Sequence, residues 1–317
     1  MQEIRFPKID RLQGPPEICK SGIISSCGGE CSVFVWKGKL MRLENQWDGF
    51  GDIPWPCAVV RDYFTDESFA PFGSEGAKFY SCYCENDCVY AFATQDNTVF
   101  CFTSNDLLHW EQSVAAVFPE NFRLFNTAVC KGDGCYMMAI EASAADDENG
   151  NFNSAPNPYI GTCFTEFFAK SNDLHNWELL SFEQGYTKDR YNACPALHYT
   201  DGYYYMICLE ELPCWRFAPY IYRTADFRTW EIGFYNPLFV PSRADLVPKL
   251  GIHLTDDELN MQFKHINTNN SDVDLCEFDG KTYIVYATGN QGITWGGCTC
   301  EAVYNGPLSS FLKANFE

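Results

Sequence analysis

Three seven-residue stretches, SNDLLHW at 104–110, SNDLHNW at 171–177 and TADFRTW at 224–230, repeat one pattern. Each follows a short alternating apolar run: TVFCFT, CFTEFFAK or PYIYRT. Before each run lies another of the same kind (CVYAFATQ, CYMMAIEAS, YYYMICLEE), and before that a third (AKFYSCYCENDC, NTAVCKGDG, PALHYTDG). Period-two alternation bounded by Gly, Asp and Asn is the pattern of half-buried strands joined by tight turns. The unit therefore reads strand A, tight turn, strand B, variable loop, strand C, a D-L-x-x-W turn, then strand D. In that turn the Asp can accept backbone N–H bonds while the Trp packs between neighbouring units. Those roles are architectural.

Two further units keep the A-turn-B core without the turn: ECSVFVWKGKLMRLEN (30–45), followed by CAVVRDYF, and DVDLCEFDGKTYIVYATG (272–289), followed by CTCEAVY. Five units result, at about 27–75, 76–118, 119–185, 186–240 and 264–310. Repeats of this size with four strands each predict an all-β fold, a five-bladed β-propeller occupying 1–317 as a single domain. The last unit ends soon after its third strand, so the segment Ile18–Ser26 is expected to supply the outer strand and close the ring. The only helical text is TDDELNMQF (255–263), where Thr255 and Glu258 stand at capping-box spacing. It is expected to be a short brace between units four and five.

Composition narrows the function. The chain has 317 residues, 46% of them hydrophobic, which excludes a disordered polypeptide. Its net charge of −20 repels phosphate backbones and argues against nucleic acid as a partner. No apolar stretch approaches 18 residues, and none near the start has the length of a signal-peptide core, so neither a membrane span nor secretion is expected. The 17 cysteines, an odd number scattered through strand-like text, fit free thiols in a reducing cytoplasm. The cluster Cys82, Cys84, Cys88 lacks the paired C-x-x-C units of a structural zinc site. No oligomeric state is implied.

Chain direction places the B–C loops and the openings of the A strands on one face of the ring. The loops read NQWDGFGDIPWP, TQDN, EASAADDENGNFNSAPNP, EELPCWRFAP and GNQGITWGG. They carry Trp47, Trp55, Trp215 and Trp295, together with Asp48, Glu141, Glu210, Arg216 and Gln291. Indole faces stack on the apolar faces of sugar rings, and carboxylates hold hydroxyls or serve as acid and base, so carbohydrate is the expected partner. Aligned on the turn glycines 38, 134, 202 and 280, the residues Glu30, Asn126, Cys194 and Asp272 are equivalent, each eight positions earlier. A carboxylate at the inner end of an innermost strand is expensive to bury without a task or a partner, which makes Glu30 and Asp272 catalytic candidates. Glu141 is expected on a loop, and of the adjacent Glu210 and Glu211 only one can point inward. His265, just before the fifth A strand, is a further pocket candidate. Hydrolysis by paired carboxylates needs no cofactor; a salt bridge or a structural cation in the central channel is the alternative use of these groups.

The repeated S-x-D-L-x-x-W turns and the blade openings of the type P-A-L-H-Y-T-D-G-Y-Y-Y resemble the five-bladed propeller glycosidases of glycoside hydrolase families 32, 43, 68 and 117, over about residues 27–310. The fifth-unit text NNSDVDLCEFDGKTYIVYATGNQ is most similar to the family 43 and family 117 proteins. The resemblance implies a base or nucleophile Asp opening the first blade, a second Asp opening another, and a proton-donating Glu two residues before a blade-opening Pro. Here Glu30 stands at the first position, and the acid position before Pro195 reads Ala193. The function this resemblance implies is that of an exo-acting glycosidase trimming short oligosaccharides, with Glu30 or Asp272 as base and Glu210 or Glu141 as acid. The alternative is a catalytically silent carbohydrate-binding propeller.

Overall fold

The computed structural model describes residues 14–161, 163–264, 266–291 and 297–316. Strand β1 (Ile18–Ser25) precedes a ring of antiparallel sheets. Blade one holds β2 (Cys31–Trp36), β3 (Lys39–Gln46) and β4 (Cys57–Asp62); blade two holds β5 (Lys78–Glu85), β6 (Cys88–Gln95), β7 (Thr98–Ser104) and β8 (Glu111–Val117). Blade three comprises β9 (Phe122–Lys131), β10 (Tyr136–Ala144), β11 (Thr165–Ser171) and β12 (Trp177–Leu179). Blade four comprises β13 (Asn192–Thr200), β14 (Tyr203–Leu212), β15 (Arg216–Thr224) and β16 (Glu231–Ile232). Blade five comprises β17 (Asn269–Phe278), β18 (Lys281–Gly289) and β19 (Thr299–Tyr304), and β1 pairs with β19 from Ile18–Tyr304 to Ser25–Thr299 as its fourth strand. The ring thus closes with the N-terminal strand on the last blade. In blade one only three regular strands form, and isolated bridges from Ser68 to Arg61 and Phe72 to Ala58 stand in for the fourth.

The three repeated turns share one construction. Asp106, Asp173 and Asp226 each accept two backbone N–H bonds at 2.8–2.9 Å from the residues two and three positions on. The preceding Ser104, Ser171 or Thr224 hydroxyl takes the N–H of Leu107, Leu174 or Phe227, which holds each of these in a left-handed conformation (φ 61°, 66° and 55°). Each turn Trp packs on the blade before its own: Trp110 stacks on Phe72 at 3.6 Å, Trp177 meets Phe92 edge-on at 5.7 Å, and Trp230 lies against Phe168 at 5.7 Å. Trp230 is buried, whereas Trp110 and Trp177 are half-buried.

Apolar residues fill each gap between neighbouring blades, as alternation on two-sided sheets requires. Tyr80 and Met41 pack between blades one and two, Phe92 and Phe167 between two and three, Met206 and Phe168 between three and four. Ile207 and Tyr286 join four to five, and Val33 and Val285 join five to one. The expected helix forms as α1 (Asp256–Lys264), with Thr255 and Glu258 exchanging the capping-box bonds at 2.7 and 3.3 Å. A second helix, α2 (Leu308–Lys313), corrects the expectation that α1 is the only one; its short LSSFLK text has no sequence cap, and it forms by burying Phe311 and Leu312 against blade five. No helix among the described residues is long and apolar enough to cross a membrane.

Candidate active site

A cavity of about 540 Å³ runs down the ring axis between the five A strands. Glu30, Asn126, Cys194 and Asp272 wall one end of it, and Leu308 and Leu312 of α2 lie at the other. Four of the five A strands begin with a bulge: the ladder slips at Phe79–Tyr80, Phe125–Asn126, Cys194–Pro195 and Asp272–Val273. Phe79, Cys194 and Asp272 take positive φ there (58°, 53° and 51°). A bulge re-aims a side chain. At Cys194 it sends the thiol toward the carboxyl groups, while Ala193 packs with Leu209 and Phe217. The acid implied at Ala193 would therefore face an apolar pocket, and Cys194 occupies the place beside the carboxyls.

Three carboxyl groups converge on Cys194. Glu141 Oε2 accepts the Cys194 backbone N–H at 2.7 Å and Asn126 Nδ2 at 3.0 Å. Asp272 lines the same wall, and the Cys194 thiol accepts from Asn126 Nδ2 at 3.5 Å. Glu30 Oε2 is buried without a hydrogen-bond partner. Burial, and then the neighbouring Asp272 charge, hold Glu30 well above the usual carboxylate range. Burial raises Asp272 as well, a rise that the Ser271 and Cys194 side chains oppose. Glu141 is pushed up to about 7, by burial first, against the pull of its two donors.

Glu141 corrects the expectation that it lies on a loop: β10 runs on to Ala144, and Glu141 is buried within it. The alternating text IEASA continues the strand past the point where the polar run suggests its end. Directly across the ladder stands Glu166 on β11, fully buried, with neither oxygen hydrogen-bonded. Burial, and then the Glu141 charge, push its carboxyl far up. Glu166 is not among the sequence candidates, because nothing in CFTEFFAK marks its one acidic residue as inward. Glu210 does point inward while Glu211 is exposed, and its Oε1 takes Arg190 Nε at 2.7 Å. Asp274, deeper in the channel wall, spends its oxygens on the Val33 and Leu275 amides at 2.9 Å. Among the described residues no group of three or more His, Cys, Asp or Glu is placed to hold a metal ion.

Around these groups runs a chain of touching rings. Trp47 meets Phe79 (5.4 Å), Phe79 meets Phe125 (5.3 Å), and Phe125 meets Phe164 (5.1 Å). Phe164 meets Tyr191 (5.5 Å), Tyr191 meets Phe217 (5.2 Å), and Phe217 meets Trp215 (5.1 Å). Phe152 rests on both Phe125 and Phe164. Apart from Phe217, the second residue of β15, these residues lie at an A-strand opening or in a B–C connection, so the rings arc from blade one to blade four on the carboxyl side. Trp47 and Trp215 are 36% and 45% exposed. Gly29, at φ 107°, leaves room for Trp47: a Cβ there would come within 2.9 Å of the indole nitrogen. Trp55 is half-buried, with its indole nitrogen unpartnered. Asp48 and Arg216 are exposed and Gln291 is half-buried. His265 and Trp295 lie outside the described residues.

No family model and no curated protein matches the chain. Solved structures do. A complex of BT0996 with RGII superposes with a TM-score of 0.60 at 11% identity, covering 92% of this protein and 92% of the other. This is the fold of the propeller glycoside hydrolases. A thermostable family 43 glycoside hydrolase gives 0.57 at 12% identity over 89% of this protein and 90% of the other. The family 32 β-fructofuranosidase of Bombyx mori gives 0.55 at 13% identity over 90% of this protein and 61% of its own length. At such identities the likeness is one of fold, and the chemistry rests on the residues above.

Proposed function

We propose that this protein is an exo-acting glycosidase that cleaves a terminal sugar in the funnel above the channel. The observation that carries this reading is the convergence of Glu30, Asp272 and Glu141 on Cys194 at the channel mouth. Acid–base hydrolysis needs one carboxyl kept protonated and another ionised at the same pH, and environments that push two such groups apart are the means of achieving it. Glu30, which lines the cavity and whose Oε2 has no hydrogen-bond partner, carries the proton to the leaving oxygen. Asp272, whose rise by burial the Ser271 and Cys194 side chains oppose, is the carboxylate that activates water or attacks the sugar. Glu141 is itself too buried to meet substrate; it ties Asn126 and the Cys194 backbone into position. The carbohydrate in a complex of one fold neighbour supports a sugar as the ligand.

Ala193, which stands at the implied acid position and packs with Leu209 and Phe217, favours one second reading, a sugar-binding propeller without turnover. Both are tested on a panel of aryl glycosides and oligosaccharides, with binding followed by calorimetry. Glu30→Gln and Asp272→Asn are each expected to lower turnover by about 10²–10⁴-fold with binding retained. Turnover that survives both substitutions removes the assignment. Saturable sugar binding with no turnover by the unaltered protein at any pH between about 4 and 9 selects the binder.

A further inference from the structure

Behind the channel mouth, two acids of blade three share one buried place. Glu141 on β10 and Glu166 on β11 stand directly opposite in the ladder, so their side chains lie on one face of the sheet with Cβ atoms about 5 Å apart. Both are buried. The titratable groups around Glu141 are Glu30 and Asp272 toward the mouth, the Cys194 and Cys163 thiols and the Tyr191 phenol. From blade four, the Cys208 thiol of β14 lies against both acids, with Glu210 and Arg190 beyond it. That cation is already committed: Arg190 Nε donates to Glu210 Oε1 at 2.7 Å and its Nη2 to Tyr186 Oη at 2.6 Å.

Two neighbouring carboxyls cannot both ionise here without a counter-charge, and the hydrogen bonds decide which of them keeps its proton. Glu141 Oε2 receives two donors, Asn126 Nδ2 at 3.0 Å and the Cys194 N–H at 2.7 Å, and donors favour the charged form. Glu166 receives none at either oxygen. A protonated carboxyl is itself a donor in need of an acceptor, and the carboxylate across the ladder is the strong acceptor that faces it. We propose that Glu166 is a positioning residue of the site: held as a neutral acid, it donates its O–H to the Glu141 carboxylate and keeps that group turned toward Asn126 and Cys194 at the channel mouth. Burial, and then the Glu141 charge, push the Glu166 carboxyl far up, in agreement with this assignment. Its use in catalysis rests on the glycosidase reading, whereas the shared proton is read without any substrate.

Infrared titration of the full chain between about pH 5 and 9 follows the C=O stretch of protonated carboxyls, with each variant subtracted from the unaltered protein. One band should persist to the alkaline end and be lost in Glu166→Gln. A second should fade with a midpoint of about 7 and be lost in Glu141→Gln. Glu166→Leu removes the donor, so Glu141 should then hold its proton at least about tenfold more tightly. Glu166→Gln, whose amide N–H can still donate, should leave the Glu141 midpoint where it was; a merely structural role would move both variants alike. No sugar is present at any step, so this result stands or falls apart from the glycosidase reading. The proposal is overturned if no Glu166 band persists at the alkaline end, if Glu166→Leu lowers the Glu141 midpoint, as removal of an ionised neighbour would, or if Glu166→Gln moves it as far as Glu166→Leu does.

Discussion

Glu141 offers a prediction that stands apart from any assumption about substrate. Its carboxyl is raised from 4.5 to about 7, mainly by burial. A raised carboxyl pKa means the folded state holds its proton more tightly than the unfolded chain does. The resulting penalty is absent below about pH 4, grows as pH rises through the interval, and is complete above about 7. At about 1.4 kcal/mol for each tenfold change in proton affinity, it amounts to roughly 3 kcal/mol. Glu141→Gln removes the titration while its amide oxygen can still accept from Asn126 Nδ2 and the Cys194 N–H. Urea unfolding of both proteins from about pH 4 to pH 8 is the assay. The variant should gain on the unaltered protein by roughly 3 kcal/mol across that range, most of it before pH 7. A stability difference independent of pH, or one that moves the other way, would show that Glu141 is ionised without penalty and would refute the burial argument.

Trp230→Ala should destabilise the protein by about 3–5 kcal/mol, since this buried ring fills the gap between blades three and four, while Trp215→Ala should leave urea unfolding nearly unchanged. Lys20→Ala removes the ammonium 2.9 Å from the fully buried Asp245, whose remaining donors are neutral, so a loss of about 3 kcal/mol is expected in the same assay. Glu166→Gln should be neutral or stabilising above pH 7, because the carboxyl it replaces has no hydrogen bond to lose and is raised by burial; a clear destabilisation there would mean that the carboxylate is ionised and paired.

The ring is legible in the sequence because its construction is local and repeated. The D-L-x-x-W turns declare a backbone need, three amide hydrogens to be satisfied and one left-handed residue, which Asp with Ser or Thr meets within six positions. Closure by Ile18–Ser25 is legible from a count, since a blade short of one strand leaves an edge to be paired. Helix α2 is not, because six residues carry little periodicity and this segment is helical only where Phe311 and Leu312 find the blade-five core.

The site divides along the same line. Spacing from the turn places Glu30, Asn126, Cys194 and Asp272 at one level of the ring, and the cavity wall contains all four. The fifth member of that level, Phe79, escapes the alignment because its turn carries Asp87 at φ 61° in place of glycine. What no spacing conveys is which neighbour a residue gains across a ladder. Glu141 and Glu166 are 25 positions apart, and a register shift of one residue would have turned one of them to the other face. Their pairing exists only because the long 145–164 connection returns β11 in that register. An ion pair could have been guessed from opposite charges, but two carboxyls facing each other in a dry interior run against every local preference. Such a pair persists in a folded protein only if at least one member stays protonated. Electrostatic strain of this kind belongs to the tertiary structure, and in this ring it sits beside the bulged strand ends where Asn126 and Cys194 anchor Glu141.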